Sequence, residues 1–181
     1  IHYQPEVLII NNLEFDHADI YSNLEEIQKQ FHNLIRTMPS DSCIVFPEED
    51  KNINKTLKLG VWSKKLSFNQ KKKELNYFES KNEDFSHLKF FINNDNAEIN
   101  WGLIGEHNAR NAMVALLALN HFDISLSDSL KGLASFSGVC RRLESVIDKP
   151  ELKLFDDFAH HPTAIKETLK GVRARYKENR I

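Results

Sequence analysis

Four short stretches of the sequence concentrate the residue types that could do chemistry. The first crowds four polar residues into six positions, directly after the apolar run of residues 7–10: Glu14, Asp16, His17 and Asp19. Carboxylates supply the hard oxygen ligands that Mg²⁺ prefers, and an imidazole could add a nitrogen ligand. Two interpretations stay open at this point, a metal site that includes His17 and a loop whose acids cap the following helix.

The second stretch, residues 105–113, passes from a glycine through polar side chains into an apolar run. This pattern predicts a tight loop at a helix N-terminus, where free backbone N–H groups favour polar or anionic ligands. The amides of Asn108 and Asn111 offer both donors and acceptors, which recognition of an adenine edge requires. Taken alone, the residues favour the plainer interpretation that these amides cap a buried helix.

The third and fourth stretches, residues 136–144 and 156–162, carry arginines, aspartates and histidines. Arg141 and Arg142 could bind phosphate through permanently charged, planar guanidinium groups, or could form an ordinary surface ion pair. Asp157 follows a predicted strand and suits hydroxyl recognition on a ribose. His160 and His161 could bind zinc, but adjacent histidines rarely face one metal and the sequence offers no further ligand at suitable spacing.

The elements that must position these stretches alternate between strands and helices. Apolar runs predict strands at residues 7–10, 43–46, 60–62 and 153–155. Apolar residues at helical spacing predict helices at residues 23–37, 107–121, 126–133 and 162–172, and a helical turn at 55–59. Short strand-like runs at residues 75–78, 88–92 and 97–103 predict an antiparallel meander. The predicted fold class is therefore α/β with an antiparallel appendage.

Composition excludes several broad classes of protein. The 181 residues are 41% hydrophobic and 28% charged, which is typical of a globular protein. A formal net charge of −2 argues against a dedicated nucleic-acid binder. Two cysteines are too few for a disulfide framework, so we expect a reducing, cytoplasmic environment. We expect no membrane association, since no apolar run approaches the length of a membrane span.

Taken in order, the four stretches resemble the Mur ligase family, the ATP-dependent enzymes that form amide bonds in bacterial cell-wall synthesis. The resemblance implies ATP and Mg²⁺ as cofactors, with His17 as a metal ligand. It implies catalytic roles for His17, Arg142, His160 and His161. It implies nucleotide binding by five residues: His107, Asn108, Asn111, Arg142 and Asp157.

Within the family, residues 11–19 are most similar to the branch that joins UDP-N-acetylmuramate to L-alanyl-γ-D-glutamyl-meso-diaminopimelate, a recycled murein tripeptide. The implied reaction activates a carboxylate as an acyl phosphate, which the peptide's amine then attacks. Addition of L-alanine to UDP-N-acetylmuramate is the alternative within the family. A non-catalytic nucleotide-binding module and a metal hydrolase are the alternatives from other classes.

The resemblance also predicts the domain organisation. Residues 1–146 would be part of the family's central, ATP-binding domain, and residues 147–181 would begin its Rossmann-like C-terminal domain. No Gly-x-x-x-x-Gly-Lys-Ser/Thr sequence occurs in the chain. We therefore expect the phosphate cradle to lie upstream in a longer protein, and the chain by itself to be inactive as a ligase or an ATPase.

Overall fold

The computed structural model describes residues 3–181, in which strands and helices follow one another in a mixed α/β order. The strands are β1 (Val7–Ile9), β2 (Cys43–Pro47), β3 (Lys64–Phe68), β4 (Asn76–Ser80), β5 (His87–Ile92), β6 (Asp95–Asn100), β7 (Glu144–Asp148) and β8 (Lys153–Asp156). The helices are α1 (Leu24–Ile35), α2 (Lys51–Leu57), α3 (Glu106–His121), α4 (Leu126–Ala134) and α5 (Pro162–Arg175). The α/β class and the antiparallel meander predicted from the sequence are confirmed.

A parallel sheet in the order β1-β2-β3 forms the first layer, with β2 fully buried at its centre. Successive side chains of a strand point to opposite faces, so β2 contributes to two cores. Ile44 and Phe46 pack on the side of α1 and α2, whereas Cys43 and Val45 pack on the side of α3. The carboxyl ends of these parallel strands face one edge of the sheet, where ligands collect in α/β folds.

The meander β4-β5-β6 is antiparallel and packs its apolar face against the same helix, α3. Its buried side chains alternate along the strands, as Leu88, Phe90 and Ile92 do in β5. Asn93 turns the chain between β5 and β6 with a φ of 54°, a left-handed conformation that asparagine tolerates well. Helix α3 therefore lies between two sheets, which explains why its centre is apolar on all sides.

Helix α5, which follows the C-terminal hairpin β7-β8, docks onto the rest of the chain through backbone contact and ion pairs. Gly171 of α5 approaches Gly105 so closely that a Cβ on Gly171 would lie 3.2 Å from the Gly105 Cα. Arg175 Nε lies 2.7 Å from Asp84 Oδ2 in the turn between β4 and β5. Burial would raise the pKa of Asp84, but hydrogen bonds from Arg175 and Ser86 outweigh that effect, and the pKa is lowered.

Two predictions about the elements need correction. The strand predicted at residues 60–62 is wrong, because Gly60 has a φ of 134° and the Trp62 side chain is 63% exposed. The strand that pairs with β2 begins at Lys64 instead. Strand β7 was not predicted, since four of its five residues are exposed and form no apolar run. The predicted domain division after residue 146 lies within β7 and stays a prediction.

Candidate functional site

A cavity of about 1230 Å³ lies where the carboxyl end of β1, the N-terminus of α3, the loops on either side of the β7-β8 hairpin and α5 meet. Seven of the eight predicted site residues line it: His17, His107, Asn108, Asn111, Arg142, Asp157 and His161. They come from four stretches that are far apart in the sequence. Their assembly around one cavity follows from the parallel sheet edge and from the docking of α5. The volume is ample for a nucleotide-sized ligand.

The loop after β1 contributes carboxylates and one strained residue to this cavity. Glu14 accepts hydrogen bonds from Asn12 Nδ2 at 3.1 Å and from Thr163 Oγ1 of α5 at 2.7 Å. The His17 N–H donates to Asp16 Oδ1 at 2.7 Å, and this bond lowers the pKa of Asp16. His17 itself has a φ of 55°, a conformation that costs about 1 kcal/mol or more for a non-glycine residue and clusters at functional sites.

This loop fits the donor chemistry of a magnesium site, because Glu14 and Asp16 bring carboxylate oxygens to the cavity beside His17. Across residues 3–181, however, no group of three or more His, Cys, Asp or Glu side chains is arranged to hold a metal ion. Substrate phosphates and waters supply most ligands in many Mg²⁺ sites, with only one or two from the protein. The role of His17 as a metal ligand stays a prediction.

The loop before α3 depends on the glycine at its centre. Gly105 has a φ of 90°, and a Cβ there would lie 2.7 Å from the His107 ring, so only glycine lets that ring fold back over the loop. Within the described chain, the buried Nδ1 of His107 has no hydrogen-bond partner. Burial lowers the pKa of His107 despite the nearby acids Glu167 and Asp157. A buried side-chain nitrogen without a partner is uncommon in folded proteins, which marks this loop as unusual.

The two amides of α3 are each held by one internal hydrogen bond. Asn108 Nδ2 donates to the Ile104 carbonyl at 2.8 Å, so this side chain does not cap a free N–H group of the helix as the plainer interpretation expected. Asn111 Oδ1 accepts a hydrogen bond from Asn11 Nδ2 at the end of β1. Both side chains line the cavity, and neither of these hydrogen bonds involves a free backbone N–H group of α3.

The arginines of the third stretch differ in how they are held. Arg141 pairs with Asp156 at 3.3 Å, whereas among residues 3–181 Arg142 has no carboxylate partner. Both guanidinium groups lie over the Phe158 ring, at 5.0 and 5.8 Å from its centroid. Arg142 lines the cavity and Arg141 does not. The free charge of Arg142 is therefore the one placed to meet an anion.

Asp157, His160 and His161 lie just before the first residue of α5. Asp157 accepts the backbone N–H groups of Leu143 and Ala159, both at 2.8 Å, so it organises the hairpin end as well as facing the cavity. His161 is the N-cap of α5 and lies 4.0 Å from Glu14. His160 is exposed, contacts Phe158 and does not line the cavity, so it is the one predicted site residue outside the assembled group.

Several cavity residues were missed by the sequence reasoning. Asn11 stands at the carboxyl end of β1, a position that parallel sheets commonly use for ligand contact, and this could have singled it out. Thr163 and Glu167 lie four residues apart on α5 and face the cavity together. Nothing local marks these two residues, because their role depends on where α5 docks.

Comparison with known proteins identifies the family of the chain. The profile of the Mur ligase middle domain matches residues 1–119. The chain belongs to the Mur ligase family.

Among Mur ligases with curated names, the chain is 39% identical over 178 residues to the UDP-N-acetylmuramate--L-alanyl-gamma-D-glutamyl-meso-2,6-diaminoheptandioate ligase of Escherichia coli K12. That match covers 97% of the chain and 38% of the relative. The chain is 35% identical over 191 residues to the UDP-N-acetylmuramate--L-alanine ligase of Brachyspira hyodysenteriae, covering 98% of the chain and 39% of the relative. The chain thus spans well under half the length of these Mur ligases.

A solved structure supports the same assignment. The crystal structure of a murein peptide ligase from Psychrobacter arcticus superposes with a TM-score of 0.72 at 34% sequence identity, covering 99% of this chain and 37% of that one. The superposition extends beyond the profile match to nearly the whole chain, and so includes the β7-β8 hairpin and α5. In the described part of this Mur ligase chain, no helix is both long and apolar enough to cross a membrane.

Proposed function

We propose that the complete protein containing this chain is an ATP-dependent ligase that joins UDP-N-acetylmuramate to L-alanyl-γ-D-glutamyl-meso-diaminopimelate in peptidoglycan recycling. The name of the Escherichia coli relative supports this substrate pair, and the Psychrobacter arcticus relative is named a murein peptide ligase. The observation that carries the proposal is the convergence of seven family-type site residues around one cavity. The proposed place of action is the cytoplasm, in keeping with the two free cysteines.

The proposed nucleotide site uses the chain's own residues in distinct roles. Asn108 and Asn111 would bind the base, and Asp157 would face the ribose. Arg142, which no carboxylate within residues 3–181 neutralises, would bind phosphate oxygens with its planar fork. His107, whose pKa is lowered by burial, would add a hydrogen-bonding imidazole ring. These groups bind and orient the nucleotide beside the C-terminal hairpin.

The proposed metal site lies at the end of β1. His17 with the neighbouring carboxylates Glu14 and Asp16 would hold Mg²⁺ close to the phosphates. When bound, ATP and Mg²⁺ would supply the phosphoryl group that activates a carboxylate, together with a charge that stabilises its transfer. His161, beside Glu14, would lie next to this region, and His160 would reach it only if the loop before α5 moves.

The test is an acceptor assay on the complete protein. Purified protein would be incubated with UDP-N-acetylmuramate, ATP, Mg²⁺ and either the murein tripeptide or L-alanine, and phosphate release and product mass would be measured. We expect product with the tripeptide. Product with L-alanine alone would support the alternative that the Brachyspira relative represents.

Two further outcomes would contradict ligase function altogether. Nucleotide binding without turnover on either acceptor would indicate a non-catalytic module. Stoichiometric, tightly bound zinc in the purified protein, with hydrolysis in place of ligation, would indicate a metal hydrolase.

A further inference from the structure

A hydrogen bond between two amide side chains joins the end of β1 to helix α3. Asn11 follows Ile10, whose N–H still pairs with the Val45 carbonyl at 2.9 Å, so the backbone at Asn11 is fixed by the sheet. Its side-chain Nδ2 donates to Oδ1 of Asn111 in the second turn of α3. Both residues line the cavity. A contact across a hundred positions of sequence is therefore built into the wall of the nucleotide site.

This contact decides which hydrogen-bonding group Asn111 can offer to a ligand. An asparagine side chain carries one carbonyl oxygen and one NH₂ group. Because Asn11 occupies the oxygen of Asn111, the NH₂ group is the one left for the cavity. The Asn108 side chain is held in the opposite orientation. Its NH₂ group donates to the Ile104 carbonyl, so its oxygen is the group that remains for the cavity. Within residues 3–181, neither remaining group has another hydrogen-bond partner.

The two remaining groups form a pattern of one donor and one acceptor. Asn108 and Asn111 are three residues apart on α3, so their side chains are neighbours on one face of the helix. An adenine edge presents an amino donor next to a ring-nitrogen acceptor, which complements this pattern. The corresponding edge of guanine presents two acceptors and would leave the Asn108 oxygen facing another oxygen.

We propose that Asn11 is a positioning residue that sets the base specificity of the site, because it holds Asn111 with its NH₂ group toward the base. The inference rests on the proposed function, since it takes a nucleotide in this cavity as given. Asn11 acts through Asn111 and needs no contact with the base itself. A purely structural role, tying β1 to α3, would change stability and leave base preference alone.

The experiment compares ATP with GTP as substrates of the complete ligase. In Asn11→Leu, Asn111 is free to rotate, and we expect the KM for ATP to rise about tenfold, the size of one oriented hydrogen bond. The preference for ATP over GTP, measured as the ratio of kcat/KM values, should fall by a similar factor. The kcat at saturating ATP should change less than about twofold, since positioning of the base affects binding.

A second variant makes the test sharper. In Asn11→Asp the side chain can only accept hydrogen bonds, so Asn111 must turn its NH₂ group toward residue 11 and its oxygen toward the base. We expect a larger rise in the KM for ATP than in Asn11→Leu. In an Asn111→Ala background, both substitutions at position 11 should lose their effect on base preference, because the residue through which they act is gone.

Helix α3 offers a matched control. Asn120 near its C-terminal end accepts an amide hydrogen bond from Asn93 at 3.3 Å, outside the cavity. Asn120→Ala should leave both the KM for ATP and the preference over GTP unchanged. Thermal unfolding of every variant separates folding defects from changes in base preference.

Distinct results would overturn this inference and the function on which it rests. An unchanged ratio of ATP to GTP use in Asn11→Leu and Asn11→Asp would refute the positioning role. Effects at positions 11 and 111 that add fully would refute it too. A complete protein that uses neither nucleotide would instead refute the proposed function.

Discussion

Replacement of Gly171 by alanine tests whether α5 is seated against the loop before α3. Gly171 lies inside the 14-residue helix α5, where an alanine would normally stabilise the helix by about 1 kcal/mol. In this structure, however, the new Cβ would lie 3.2 Å from the Cα and 3.4 Å from the N of Gly105. Both of these are backbone atoms, so no side chain can rotate away to make room.

Gly105 has little freedom to move aside. Its N–H donates to the Asp84 carbonyl at 2.8 Å, its φ is 90°, and the His107 ring occupies the space over its Cα. Overpacking at such a contact typically costs about 1–3 kcal/mol. The expected cost therefore cancels or exceeds the gain in helix propensity. Gly171→Ala should be neutral or destabilising by up to about 2 kcal/mol.

Gly132 of α4 supplies the matched control, because a Cβ there meets nothing within 4 Å. Gly132→Ala should stabilise the chain by about 1 kcal/mol, which raises Tm by about 2–4 °C for a protein of this size. Urea unfolding and thermal melts of both variants measure the difference between them. If Gly171→Ala were as stabilising as Gly132→Ala, the close approach of α5 to the loop would be refuted.

The other predictions concern the metal ligand, the phosphate contact and the ion pair of α5. His17→Ala in the complete ligase should lower activity by orders of magnitude with Tm nearly unchanged; full activity at saturating Mg²⁺ would contradict a metal role. Arg142→Lys should impair ATP-dependent turnover more than Arg141→Lys, since a point charge cannot reproduce the planar fork and Arg141 is already paired. If both variants kept the turnover of the unsubstituted ligase, neither arginine would bind phosphate. The lowered pKa of Asp84 stabilises the fold above the ordinary carboxyl pKa, and this contribution is lost as pH falls through the lowered value. Asp84→Asn should therefore lower the free energy of unfolding at neutral pH, and below about pH 4 this free energy should depend less on pH than in the unsubstituted chain. Thermal melts across the pH range measure both effects.

Much of the fold could be predicted because its elements carry strong local signals. The run that becomes β2 is apolar throughout. Helix α1 follows its cap, Asn23, and has one apolar and one polar face. The strand predicted at residues 60–62 failed because an apolar run can equally be an exposed loop when a glycine with positive φ precedes it. Strand β7 was not predicted because a hairpin strand without a buried face has no alternation of apolar and polar residues.

The candidate site was predictable in its residue types and only partly in its contacts. Glycine followed by polar residues at a helix start identified the loop of His107, and the ends of strands identified the stretches that hold His17 and Asp157. The contacts made by Asn11 and Thr163 could not be predicted, because each joins segments that only the tertiary fold brings together. The exposed position of His160 likewise depends on how the chain turns before α5.

The position of α3 between two sheets has a consequence for how this sequence can vary over evolution. The same helix that presents Asn108 and Asn111 to the cavity buries Met113 and Leu117 among side chains of the parallel sheet and the meander. A change of volume at Phe90, deep in the meander, would be absorbed in part by a shift of this helix. We therefore expect sequence changes in the meander to affect the proposed nucleotide site, and substitutions there to be accepted in compensating sets.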